Sequence, residues 1–269
     1  MMRRHYARLA DARDFEDPDV LAALRSILPE RDPAAYVERK AWEMGMLALF
    51  LEDVGALHDG TEALAIGAGD ERIVFWLANR VGRVVATDLY GEGPFAAQEA
   101  TATMLADPGA HAPFPYRADR LEVRWMDARA LDFPDASFDV AFSLSSFEHF
   151  AGRAGIATAA RELGRVLRPG GHAFLAVDTF VRRDPLNAAP VDFAIRLATL
   201  GRKMRAATPR RRAALGEVLT PGELRRWIVE PSGLDAMQPF APRTERPLAL
   251  RYKRSTFTSG GLVLRKRSR

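Results

Sequence analysis

The sequence contains no cysteine. Disulfide frameworks, thiolate metal sites and cysteine nucleophiles are thereby excluded. Lysine is nearly absent as well: Lys40, Lys203, Lys253 and Lys266 are the only lysines among 39 basic residues. Beside abundant alanine, that bias reads as a GC-rich coding sequence rather than as a function. No apolar run approaches the roughly 20 residues of a membrane-spanning helix. The opening MMRRHYARLADARDFED has paired arginines with no apolar run behind them, so a secretory or export signal lacks its hydrophobic segment. A cytoplasmic protein without a membrane partner is expected. His5, His58, His111 and His172 show no metal-ligand spacing, and no Asp/Asn cluster suggests a magnesium site, so no metal is expected.

What is present is ordinary for a globular chain: 269 residues, 48% hydrophobic and 28% charged. That length suits one large domain or a core with additions. The net charge of +4 is unevenly spread. Residues 202–212, RKMRAATPRRR, carry six basic residues and no acid, and the chain ends RKRSR. A solvated face, a collector for an anionic acceptor and a nucleic-acid patch are three readings of that stretch. No aromatic interleaves with the arginines, as stacking on single strands would want, so nucleic acid is the disfavoured one.

Residues 5–58 read as helical, with Trp42, Met46, Leu49 and Phe50 at helical spacing. Within them Tyr36 and Lys40 form a Y-x-x-x-K pair. It precedes the first strand, where a short-chain dehydrogenase would not place it, and is read as helix surface and core. From residue 63 apolar runs alternate with helical stretches. Strands are predicted at 63–67, 83–88, 121–127, 138–144 and 172–178, each short and bounded by Gly, Pro, Asp or Ser. The helix GIATAARELGRVLRPGG is expected to end with Arg168 in its last turn. The stretch 179–216 breaks the alternation and reads as a basic helical insertion, expected to act as a lid. Thr220 with Glu223 predicts a capping box, and GLDAMQP and TFTSGGLVLRK supply two further strands. The expected fold is α/β, a doubly wound Rossmann-like sheet of seven strands. Residues 61–178 and 217–269 form its core, and 1–60 an N-terminal helical cap.

The first strand runs into ALAIGAGDER, residues 63–72. In such a sheet ligands sit outside the carboxyl ends of the strands, at the point where strand order reverses. Gly67 and Gly69 allow close approach to the backbone. Asp88 ends the second strand, near the separation at which an acid meets ribose hydroxyls. Asp70 and Glu71 stand where a dinucleotide would place its pyrophosphate, and would repel it. S-adenosylmethionine has no phosphate, so the loop favours that methyl donor over a nicotinamide cofactor. Asp70 is the natural N-cap of the following helix.

With these residues the chain resembles the class I S-adenosylmethionine-dependent methyltransferases, the type 11-like group among them. The resemblance covers roughly 61–178 well and 217–269 more loosely. It places the donor against Gly67, Ala68 and Gly69, its ribose on Asp88, and its adenine beside Leu89 and between Met126, Asp127 and Ala128. Ser143 begins the segment facing the methyl group. Two positions depart from the family's acid-x-Gly-x-Gly-x-Gly loop: Ala65 stands for the acid and Glu71 for the third glycine. Glu71 reads as a solvated acid in the helix's first turn, or as the mark of a degenerate pocket.

Methyl transfer is an in-line displacement that needs alignment and exclusion of water. His149, beside Glu148, is the best candidate for a general base toward a hydroxyl acceptor; packing near the cofactor is its other reading. The family's amide and base N-methyltransferases carry an Asn/Asp-Pro-Pro-aromatic motif where this chain has Ser143-Leu144-Ser145-Ser146. A small molecule or sugar, methylated on oxygen or nitrogen, is therefore the expected partner. Tyr6, Trp42 and Glu43 are possible lining from the cap, and Arg182, Arg183 and Arg196 are available for an anionic acceptor. A catalytically silent binding module and a nicotinamide oxidoreductase remain the alternatives.

Overall fold

The computed structural model describes residues 2–93, 96–97, 100–183, 216–252 and 255–268. One sheet organises them: β1 (Glu62–Ile66), β2 (Arg83–Asp88), β3 (Leu121–Trp125), β4 (Phe138–Leu144), β5 (Leu167–Arg182), β6 (Asp235–Ala236), β7 (Leu250–Tyr252) and β8 (Ser255–Arg265). Its order is β3-β2-β1-β4-β5-β8-β6, with β7 hydrogen-bonded to β8. β1 to β5 pair in parallel, and β8 runs antiparallel to β5. The predicted doubly wound sheet is present, with eight strands rather than seven. The extra strand is β7, a short partner that pairs Leu250 to Phe257 across from β8.

Apolar runs such as ALAI form strands here because both faces of the sheet are covered. Ala63 and Ala65 point into one core, with Trp42, Phe50 and Phe75, while Leu64 and Ile66 point into the other, with Phe138, Ile156 and Leu163. The first face carries α1 (Pro18–Ile27), α2 (Arg39–Asp53) and α3 (Arg72–Ala78). Every residue of α3 from Ile73 to Ala78 is buried, and Trp76 Nε1 donates to Ser26 Oγ of α1 at 2.8 Å. A helix apolar on all sides fits only such a layered position. The second face carries α5 (Gly152–Val166) and α6 (Pro221–Leu224), which continues through further helical turns to Ser232. Thr220 and Glu223 form the predicted capping box. The described residues between β2 and β3 contribute a short α4 (Thr103–Ala106) and 3-10 turns at Pro108–His111 and Ala118–Arg120.

Several expectations are corrected. Residues 5–11 are not helical. They run beside the sheet edge, with Leu9 bridged to Gly260, and Gly261 leaves the room there: a Cβ on it would stand 2.4 Å from the Tyr6 carbonyl oxygen. Arg168 lies in β5, not in the last turn of α5. The helix ends at Val166, with Arg165 in its last turn. Leu167 already pairs with Phe138 of β4. β5 also continues to Arg182, so the expected insertion begins as strand; its segment 184–215, including Arg196 and the basic stretch 202–212, lies outside the described residues. Among the described residues no helix is long and apolar enough to cross a membrane.

Candidate active site

The strand order reverses between β1 and β4, and the crevice opens there. A cavity of about 450 Å³ is lined by Gly67 and Gly69 after β1, Asp88 and Leu89 after β2, Met126 to Arg129 after β3, and Leu144 to Ser146 after β4. That volume lies in the range of small-ligand sites. Gly67 and Gly69 have φ of +66° and +49°, which glycine adopts without strain. At Gly67 there is a second demand: a Cβ would meet Ser146 Cβ at 2.6 Å. Ser146 Oγ donates to the Gly67 carbonyl at 2.7 Å, so the loops after β1 and β4 are tied together.

At the β2 and β3 end, Asp88 accepts from the Gly69 N–H at 2.8 Å and from the Leu89 N–H at 2.7 Å. The Met126 N–H donates to the Asp88 carbonyl at 2.9 Å. The carboxylate is thus fixed on the cavity wall by backbone N–H groups of the loops after β1 and β2. Asp127 is gripped by Arg129, whose Nη2 lies 2.6 Å from Oδ2. That hydrogen bond, against a smaller burial effect, holds the Asp127 carboxyl below the usual carboxylate range.

The β1 and β4 end is built differently. Lys40, from α2, reaches across the sheet end. Its Nζ lies 2.7 Å from Glu71 Oε1, 3.0 Å from the Leu144 carbonyl oxygen and 3.3 Å from Glu43 Oε2. Burial works against the ammonium, but the Glu43 and Glu71 carboxylates outweigh it and hold its pKa above the ordinary value. Glu71 is therefore not the solvated acid expected: its side chain is 16% exposed and ion-paired. It also takes the N-cap position of α3 that Asp70 was expected to hold, though without a side-chain cap bond. Lys40 is not merely surface and core, since it lines the cavity with Met44.

Glu43 lies behind this wall, buried, accepting from Ser145 Oγ at 2.5 Å and from Ser259 Oγ. Ser145 is held at φ +52°, a conformation uncommon outside glycine. Its N–H donates to Ala176 O at 2.8 Å, and its hydroxyl to Glu43. Nearby, Arg39 pairs with Asp178. Burial, then the Asp178 charge, raises the Glu148 carboxyl well above its ordinary value.

Of the residues singled out in the sequence, Gly67, Gly69, Asp88, Leu89, Met126, Asp127, Ala128 and His149 line the cavity. Ala68 and Ser143 do not: both are buried beside it, Ser143 within β4. Tyr6 and Trp42 are core residues, with hydrogen bonds to Asp53 and Asp14. His149 follows β4 in a short turn, its N–H donating to Ser146 O at 2.9 Å. Gly216 packs on it: a Cβ there would stand 2.9 Å from two atoms of the ring. Among the described residues no group of three or more His, Cys, Asp or Glu is placed to hold a metal.

Residues 64–175 match the family model described as a methyltransferase domain. That segment, which runs from β1 into β5 and includes the loops around the cavity, is similar to a methyltransferase domain. One curated relative is 27-O-demethylrifamycin SV methyltransferase from Amycolatopsis mediterranei, 44% identical over 57 residues. That match spans 21% of this chain and one fifth, 20%, of the relative's length. Among solved structures, geranyl diphosphate C-methyltransferase from Streptomyces coelicolor superposes with a TM-score of 0.54 at 13% identity, covering 98% of this chain and 90% of that one. A candidate sarcosine dimethylglycine methyltransferase from Galdieria sulphuraria gives 0.53 at 15%, covering 82% and 84%. At such identities these two speak for the fold.

Sequence reasoning missed Lys40, Met44 and Arg129 as lining of the cavity. Arg129 had a local signal, two residues after Asp127. Lys40 had none that points to the cavity: apart from Glu43 three residues on, its partners lie 31 and 104 residues away.

Proposed function

We propose that this chain is an S-adenosylmethionine-dependent methyltransferase acting on a small molecule or sugar, at oxygen or nitrogen. The observation that carries the reading is the Asp88 carboxylate, fixed by two backbone N–H groups on the wall of a cavity at the strand-order reversal. An acid so placed accepts hydrogen bonds from ribose hydroxyls. Beside the start of α3 stand the carboxylates of Asp70 and Glu71, which suit a cationic donor and oppose a pyrophosphate. The residues present therefore fit the donor.

The donor supplies a methyl group on a sulfonium, and the acceptor's lone pair displaces the sulfur in line. In this reading Asp88 and Asp127 orient the nucleoside, and Leu144 and Phe150 keep water out. His149 takes the acceptor's proton. His149 lines the cavity with Ser146 and Phe150, and Gly216 packs on its imidazole. Residues 1–60 are assigned to the closure of the cavity through Lys40 and Met44.

Calorimetry with S-adenosylmethionine, S-adenosylhomocysteine and NAD tests the reading. Binding of the first two and not of NAD is expected. Binding of NAD alone would make the chain an oxidoreductase, and binding of none would leave a binding module on a methyltransferase fold. A screen of sugars and small phenols with labelled donor then tests the acceptor class.

A further inference from the structure

Ala65 stands in β1 between Ala86 and Phe142 of the neighbouring strands and is fully buried. The position where the resembling family carries an acid thus presents no carboxylate to the cavity. Glu71 does, and Lys40 is set against it at 2.7 Å. Both charges are fixed from behind: Lys40 by the Leu144 carbonyl and Glu43, Glu71 by Lys40. They form a small oriented dipole on the wall at the β1 and β4 end.

The place of that dipole along the sheet matters. Asp127 follows β3 and Leu144 ends β4. Three strand spacings separate β3 from β4 in the order β3-β2-β1-β4, roughly 14 Å at the usual spacing. A nucleoside read by Asp88 and Asp127 at one end leaves the rest of an extended donor to reach toward β4. That remainder is an amino acid, a zwitterion whose two charges form a dipole of the opposite sense.

We propose that Lys40 and Glu71 form the subsite for the amino-acid head group of the donor, Lys40 taking the α-carboxylate and Glu71 the α-ammonium. The acid absent at Ala65 is supplied from Glu71, and the departure from glycine is a functional replacement rather than decay. This inference rests on the donor reading above.

The test compares S-adenosylhomocysteine, which has the amino-acid head group, with 5'-methylthioadenosine, which lacks it. Calorimetry is run on the full chain and on Glu71→Gln and Lys40→Gln, with thermal unfolding as a check on folding. Glu71→Gln leaves Lys40 paired with Glu43 and carries the test even if Lys40→Gln fails to fold. In both variants S-adenosylhomocysteine should bind about 10- to 100-fold more weakly, as for loss of a charge-assisted hydrogen bond, while 5'-methylthioadenosine is unchanged. Equal losses for both ligands, or no loss for either, would overturn the assignment. So would a wild type that binds 5'-methylthioadenosine but not S-adenosylhomocysteine, since the pair would then block the head group. A wild type that binds neither refutes the donor reading itself, and the subsite falls with it.

Discussion

The two ends of the cavity are made by different means. At the β2 and β3 end the wall is held over short sequence distances: Asp88 by Leu89 beside it and by Gly69 of the loop after β1, 19 residues back, and Asp127 by Arg129 two residues on. At the β1 and β4 end the wall is assembled from distant parts, with Lys40 from α2, Glu71 before α3 and Ser145 after β4, backed by Glu43 and Ser259. The first end needs only the sheet to form. The second needs α2 to be docked on the sheet and a buried set of charges to be balanced.

The largest effect should come from the second end. His149→Ala is expected to lower turnover by about 10²- to 10⁴-fold, the usual contribution of a general base, with donor affinity nearly unchanged. The pH profile of turnover should lose its acidic limb in the histidine range. Turnover retained with that limb intact would reduce the imidazole to a packing role under Gly216. At the first end, Asp88→Ala should weaken S-adenosylhomocysteine by roughly 1.5–3 kcal/mol, the worth of hydrogen bonds to a charged group. Because the nucleoside is read there, 5'-methylthioadenosine should weaken equally, in contrast with the variants at Lys40 and Glu71. An affinity unchanged within error in calorimetry would take Asp88 out of the site.

The contrast also explains what could be read from the sequence. β1, β2 and β4 appear within a residue of the predicted ranges because short apolar runs between Gly, Asp and Ser suit a sheet buried on both faces. The strand-end acids Asp88 and Asp127 follow from those strands. Lys40 was passed over because a Y-x-x-x-K pair ahead of the first strand has no local reason to meet Glu71. Residues 5–11 were misread as helix because their partners, Ala241 and Gly260, lie more than 200 residues away. Arg168 was misplaced because Pro-Gly-Gly reads as a helix stop, whereas here it lies within the start of β5.

The smallest effect concerns the charges behind the second end. Glu148 is buried; Oε1 accepts from the Asp178 N–H at 3.3 Å, while Oε2 has no hydrogen-bond partner among the described residues. Burial first, then the charges of Asp178 and Glu43, raise its pKa against a backbone hydrogen bond and the cations Lys40 and Arg39. A carboxyl whose folded pKa is raised binds its proton more tightly folded than unfolded. Its contribution to stability is therefore greatest below the unfolded value, about 4.3, and is lost as pH rises toward the folded one. Glu148→Gln keeps the shape and removes the titration. Relative to wild type, the variant should gain stability as pH rises from 4 to 8, and at neutral pH it should be no less stable, the difference staying within about 1 kcal/mol. Thermal unfolding of both proteins across that range measures it. The difference cancels the shared groups that do not sense Glu148; Asp178, whose charge raises Glu148, is the neighbour whose own titration changes with it. A variant that instead loses ground as pH rises would mean that Glu148 is ionised and favourably paired, and the second end would then be balanced by a full charge rather than by a buried proton.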